Sequence, residues 1–183
     1  MKQNELEALI KILYTSLVHY RLWEELRKRM DETSVNVINR GYATFIEHTR
    51  EAHYKAIFVE LHKLIETRSD TYNLDSVFKE IPSDSDLIDK INEYNENFKE
   101  VKKGIFILRN NVFGHSSRNL DPVDAFQKAS ISSADVENYI VESAKLLNQV
   151  KSEFFNTVDA YNEIGEAESV SKLYAAIRAY ESK

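Results

Sequence analysis

The chain is 183 residues long, carries 24 Lys and Arg against 30 Asp and Glu for a net charge of −6, and contains 4 Gly, 2 Pro and no Cys. That length fits one domain with a sizeable core, and the scarcity of turn-formers beside abundant helix-formers excludes a sandwich or barrel composition. Without cysteine there is no disulfide framework, thiolate metal site, Cys nucleophile or iron–sulfur cluster, and the acidic balance argues against a general nucleic-acid coat.

The start of the chain, MKQNELEALI, lacks the basic region and apolar core of a signal peptide, and no apolar run approaches roughly 18 residues. A cytoplasmic protein with no membrane partner is expected. The first helix spans about Asn4 to Met30, with Leu6, Leu9, Ile10, Leu13, Leu17 and Tyr20 at the three-and-four spacing of a buried face. A break with capping residues falls near Asp31 to Ser34. Gly41 then interrupts a second helical pattern, which resumes as a long third helix through Phe45, Ala52, Tyr54, Ile57, Phe58, Leu61, Leu64 and Ile65.

Thr67 to Asn73 reads as a loop, and Leu74 to Ile81 as a short helix ended by Pro82. Ser83 or Asp84 caps the next helix, whose stripe of Leu87, Ile91, Tyr94, Phe98, Val101, Ile105, Leu108 and Val112 is the longest regular one in the chain and stops at Gly114. Acids gather between Leu74 and Asn97 and bases between Phe98 and Arg118, a polarity that suits the helix dipole. Ser116 to Ser133 is a connector with one short helical turn at most. Ser133 caps a further long helix through Val136, Ile140, Ala144, Leu147, Val150, Phe154 and Val158, and Val170 to Tyr180 forms the last. The expectation is an all-α fold: one domain over residues 1–183, a bundle of four long helices with short accessory ones.

Of the five histidines, His48 and His53 are five apart and lack a zinc-hydrolase carboxylate pattern, so no metal site is expected; His19 and His62 read as packing or boundary residues. His115 differs. It follows Gly114 in the segment Leu108-Arg-Asn-Asn-Val-Phe-Gly-His-Ser-Ser117, where polar groups crowd the end of an apolar helix. Two readings stand. Arg109, Asn111 and His115 can cap the last carbonyls and the negative end of the dipole. Alternatively, Arg109 can hold a phosphate through its planar fork while His115 moves a proton near neutral pH.

Arg109, the polar Asn110, four further residues and then His115 resemble the R-x(4 to 6)-H motif of the HEPN superfamily. The order of long helices, the segment His62-Lys-Leu-Ile-Glu-Thr-Arg-Ser-Asp70 and the entry Ser132-Ser-Ala-Asp-Val136 are most similar to its AbiU-type branch, associated with abortive infection and toxin systems. The likeness covers roughly Leu13 to Phe155. It implies a HEPN-like helical bundle and a metal-independent endoribonuclease without cofactor, with Arg109, Asn110 and His115 as catalytic residues. It also implies a homodimer, an RNA substrate and an antitoxin or regulatory protein as partners. Asn110-Asn111 and Gly114 stand where the branch commonly has Asp-Lys and Ala. Ser117 stands where some HEPN toxins carry a tyrosine modified by a nucleotidyltransferase antitoxin.

On an ideal α-helix residues 109 and 115 lie about 240° apart, so they do not share a face within one subunit. A two-fold dimer would bring two arginines and two histidines into one cleft, giving an acid and a base on opposite sides of a phosphate attacked by its 2′-hydroxyl. Lys102, Lys103, Asn111 and Arg118 are candidate RNA contacts and Phe113 a candidate base stacker, though Phe113 also suits the core. The alternative function is a non-catalytic HEPN module that binds RNA, a nucleotide or a protein. A helical adaptor outside the superfamily is the third.

Overall fold

A computed structural model describes residues 2–28, 41–68, 70–114, 120–157 and 167–181. Among these residues the structure is all-α: α1 (Gln3–Lys28), α2 (Ala43–Ile65), α3 (Leu74–Phe78), α4 (Leu87–Asn97), α5 (Lys99–Leu108), a π-helical turn (Arg109–Phe113), α6 (Pro122–Ala129), α7 (Ser133–Phe155) and α8 (Ala167–Glu181). No strand occurs among them, and no described helix is long and apolar enough to cross a membrane. The expected break at Asp31 to Ser34, with any helix that follows it as far as residue 40, lies outside the described residues. Gly41 has φ +106°, a left-handed conformation that glycine adopts without Cβ strain, and stands just before α2.

The chain divides into two compact units. One comprises residues 1–16 and 58–160, the other residues 17–57 and 161–183. The first unit is built on the stripes of five helices. Leu6, Leu9 and Leu13 of α1, Phe58, Leu61 and Leu64 of α2, Ile91 and Tyr94 of α4, Ile105 and Leu108 of α5, and Val136, Tyr139, Ile140 and Leu147 of α7 are all buried. Removing such apolar area from water, at about 25 cal/mol per Å², is what holds these helices together. The second unit has its own cluster of Leu26, Ile46, Val170 and Tyr174, with Leu22, Tyr42 and Ile177 against it. There Trp23 stacks on Tyr54 at 5.0 Å, and the Arg27 guanidinium lies 5.1 Å from the Trp23 ring centroid.

Several boundaries differ from expectation. The central helix is not one rod. It is divided at Phe98, whose φ of −105° and ψ of 9° leave helical geometry between α4 and α5. Phe98 is buried against Tyr94 at 5.0 Å and Tyr139 at 5.4 Å, so aromatic packing with α7 fixes this residue more strongly than helix propensity does. The cap before α4 is neither Ser83 nor Asp84. Asp86 holds that place without a side-chain cap bond, and the Ser85 hydroxyl accepts from Leu87 N–H at 3.1 Å.

The connector after the π turn holds more helix than expected, because Asp121 caps α6 through Val123 N–H at 2.8 Å and Pro122 presets its first turn. Ser132 rather than Ser133 caps α7, in a reciprocal box with Asp135. That box holds the Asp135 carboxyl below the usual carboxylate range. Gly104 lets α5 lie close to the end of α6, since a Cβ there would meet Ile131 Cγ2 at 2.7 Å and the Ala129 carbonyl oxygen at 2.9 Å.

Candidate active site at the end of α5

Where α5 ends, Arg109–Phe113 widens into a π-helical turn closed by a bond from Gly114 N–H to the Arg109 carbonyl at 2.6 Å. Such turns insert one extra residue into a helix and recur at functional sites. The α-helical angle between positions 109 and 115 therefore does not apply across this segment. Gly114 is not a left-handed terminator: its φ is −91°. Its lack of a side chain matters for space, because a Cβ would lie 2.6 Å from the Arg109 carbonyl oxygen and 3.3 Å from Arg109 Nη1.

Arg109 and Asn110 are brought together. Both are half-buried, and Arg109 Nη1 donates to Asn110 Oδ1 at 2.8 Å, which holds the guanidinium at the rim of the turn. Asn111 is engaged by its own helix, its Nδ2 donating to the Ile107 carbonyl at 2.8 Å. Phe113 packs as a core residue would, stacked on Phe58 at 5.1 Å and edge-on to Phe126 at 6.1 Å. His115 and Arg118 lie outside the described residues.

The two lysines stand up to two turns earlier on α5. Lys102 is partly buried. Its Nζ donates to Asn95 Oδ1 at 2.7 Å and lies 4.9 Å from the Tyr94 ring centroid, and burial lowers its pKa against the opposing charge of Asp75. Lys103 is exposed and pairs with Glu100 at 3.1 Å. These partners mean that neither amine joins the Arg109–Asn110 pair in this structure.

His62 lies closer to the motif than its sequence position indicates. Its ring stacks on Phe106 at 5.7 Å, three residues before Arg109, and its pKa is lowered by burial and then by the charge of Arg109, with Glu66 opposing. The four-residue step from His62 to Glu66 was the available signal, since such a step at a helix end can bring imidazole and carboxylate together, here Nδ1 to Oε2 at 3.9 Å. In the second unit His19 and His53 approach Nδ1 to Nδ1 at 2.8 Å, a pairing between α1 and α2 that no local spacing announces. Among the described residues no group of three or more His, Asp or Glu could hold a metal ion.

Around the π turn the surface is aromatic and apolar. Phe106, three residues before Arg109, and Phe126, edge-on to Phe113, are 53 and 40% exposed, which makes this rim unlike a solvated helix end.

An all-α fold, with Arg109 and Asn110 on a π turn at the end of α5, fits a HEPN-type helical bundle. The chain belongs to the AbiU2 family of that superfamily, whose profile matches residues 3–173, and so to its abortive-infection branch. No curated protein matches the chain. No solved structure matches it either.

Proposed function

We propose that this protein is a metal-independent endoribonuclease of HEPN type, acting in phage defence or as a toxin, with its active site formed across a homodimer. The observation that carries the reading is the Arg109–Asn110 pair, held at 2.8 Å on a π turn at the rim of an apolar surface. In that reading Arg109 binds the scissile phosphodiester and stabilises charge on the pentacoordinate phosphate. Asn110 orients the guanidinium. His115 of one subunit removes the proton of the 2′-hydroxyl, and His115 of the other protonates the leaving 5′-oxygen. Positioned proton transfers of this kind are each worth about 10²- to 10⁴-fold. The products are a 2′,3′-cyclic phosphate and a 5′-hydroxyl.

The exposed Phe106 and Phe126 beside the motif favour a dimer face there, since burying them against a second copy removes apolar area from water and encloses Arg109. The two Asn110–Arg109 pairs would then face one cleft. Regulation by a partner protein is part of the same proposal, because an active ribonuclease must be restrained in its own cell.

The test is cleavage of a labelled single-stranded RNA panel in EDTA by the wild type, His115→Ala and Arg109→Ala, all checked for folding and dimer formation. Cleavage by the wild type alone, leaving a cyclic phosphate, supports the enzyme and its residues. If the folded, dimeric wild type cuts nothing, the enzyme reading falls, and the family's alternative of a non-catalytic binding module replaces it.

A further inference from the structure

His62 of α2 is 6% exposed, and its Nε2 is buried without a hydrogen-bond partner. Buried polar atoms are nearly always bonded, so an orphaned imidazole nitrogen needs an explanation. Its other nitrogen does face a partner. Nδ1 lies 3.9 Å from Glu66 Oε2, beyond a good hydrogen bond but within reach of the carboxylate's field. That field favours the tautomer with the proton on Nδ1 and leaves a lone pair on Nε2. The ring is covered by Phe106, which shares a helix face with Arg109 because the two are three residues apart. Glu66, one residue past the end of α2, and Arg109, from the π turn, are the two charges that act on this imidazole.

An unpartnered acceptor on a ring stacked against Phe106, within the field of a guanidinium with five N–H donors, has an obvious use. Arg109 Nη1 donates to Asn110 Oδ1 at 2.8 Å. A phosphate gripped by two N–H groups leaves donors on the other edges of the plane, and the orientation of that plane decides whether the grip is bidentate. We propose that His62 is a positioning residue for Arg109: held in one tautomer by Glu66, it offers Nε2 to the guanidinium and fixes the plane of the fork when an anion binds. The assignment rests on Arg109 being the phosphate-binding group of the proposed ribonuclease. Packing alone would be served equally well by phenylalanine at this position, since the ring is already stacked on Phe106.

The experiment is nitrogen-15 NMR of the arginine side chains and of His62 in the full chain, titrated with inorganic phosphate. Three variants accompany the wild type: His62→Phe keeps the stack and removes both nitrogens, His62→Gln restores an acceptor, and Arg109→Met removes the charge. Phosphate should slow rotation of the Arg109 guanidinium in the wild type, not in His62→Phe, and again in His62→Gln. His62 should titrate at higher pH in Arg109→Met. Identical Arg109 behaviour in wild type and His62→Phe, or an unmoved His62 titration in Arg109→Met, overturns the proposal.

If His62→Phe does not fold, Glu66→Gln replaces it: it should weaken the phosphate response of Arg109, and an unchanged response overturns the proposal. RNA cleavage separates the two readings. A wild type that cuts no RNA but shows the His62-dependent Arg109 response loses the ribonuclease and keeps the positioning role. A wild type and a His62→Phe variant that cut with the same rate and pH profile keep the ribonuclease and lose the positioning role.

Discussion

The backbone N–H of Gly114 reaches back five residues to the carbonyl of Arg109 at 2.6 Å, and the side chain of Arg109 lies over the same glycine. The arginine is thus held at both its backbone and its side chain by the turn it begins. Gly114→Ala would place a Cβ 2.6 Å from that carbonyl oxygen, closer than van der Waals contact allows, so the turn must open. We expect overpacking of about 1–3 kcal/mol, a melting temperature lower by several degrees, and a displaced Arg109 guanidinium signal. A variant with the wild-type melting curve and Arg109 spectrum would show that the turn tolerates the methyl group.

Acid should destabilise the protein, and His62 should account for part of it. Burial, then the charge of Arg109, holds its folded-state pKa below the ordinary 6.5, and burial, then His19, does the same for His53. The unfolded chain therefore binds more protons than the native one as the pH falls through about 6.5 and on to the lowered native values. Stability is present above that window and is lost on descending through it. Urea unfolding at about pH 7.5 and about pH 5.5 should show a smaller acid loss for His62→Phe than for the wild type. Equal losses would mean that His62 titrates normally in the folded chain.

In the core of the first unit the hydroxyls of Tyr94 and Ser143 meet at 2.6 Å, both buried. Removing one partner strands the other only in part, because Ser143 also donates to the Tyr139 carbonyl. Tyr94→Phe should cost about 1–2 kcal/mol. Combining it with Ser143→Ala should cost less than the sum of the single changes, by roughly 1 kcal/mol. Strict additivity in the double-mutant cycle would remove the bond from the account of stability.

Gly104→Ala tests the close approach of α5 to the end of α6. The new methyl group would sit 2.7 Å from Ile131 Cγ2 and 2.9 Å from the Ala129 carbonyl oxygen. A loss of about 1–3 kcal/mol is expected, read as a fall in melting temperature of roughly 2–4 °C per kcal/mol for a chain of this size. Ile131→Ala in the same chain should restore part of the loss, leaving the clash with the backbone oxygen. No recovery would place the whole strain on that oxygen.

The features legible in the chain alone are local. The apolar stripes of α1, α4 and α7, the AbiU-type kinship and the polar segment beginning at Arg109 all follow from short-range periodicity and motif spacing, whereas the helix expected to run to Ile81 ends at Phe78. The remaining features depend on residues far apart in the chain. Phe98 divides the central helix because Tyr139 of α7 packs on it, a contact invisible to any window that reads α4 and α5 alone. The π turn at Arg109 requires a glycine at 114 for space rather than for a left-handed φ, which composition cannot distinguish. His62 read as a packing residue because its helix supplies apolar neighbours. The fold stacks it on Phe106, within the field of Arg109, both more than 40 residues on, and burial there leaves one nitrogen without a partner. Local pattern chooses the helices, because their hydrogen bonds close within a few residues; the pairing of side chains between helices is chosen by burial, which acts only once the chain is folded.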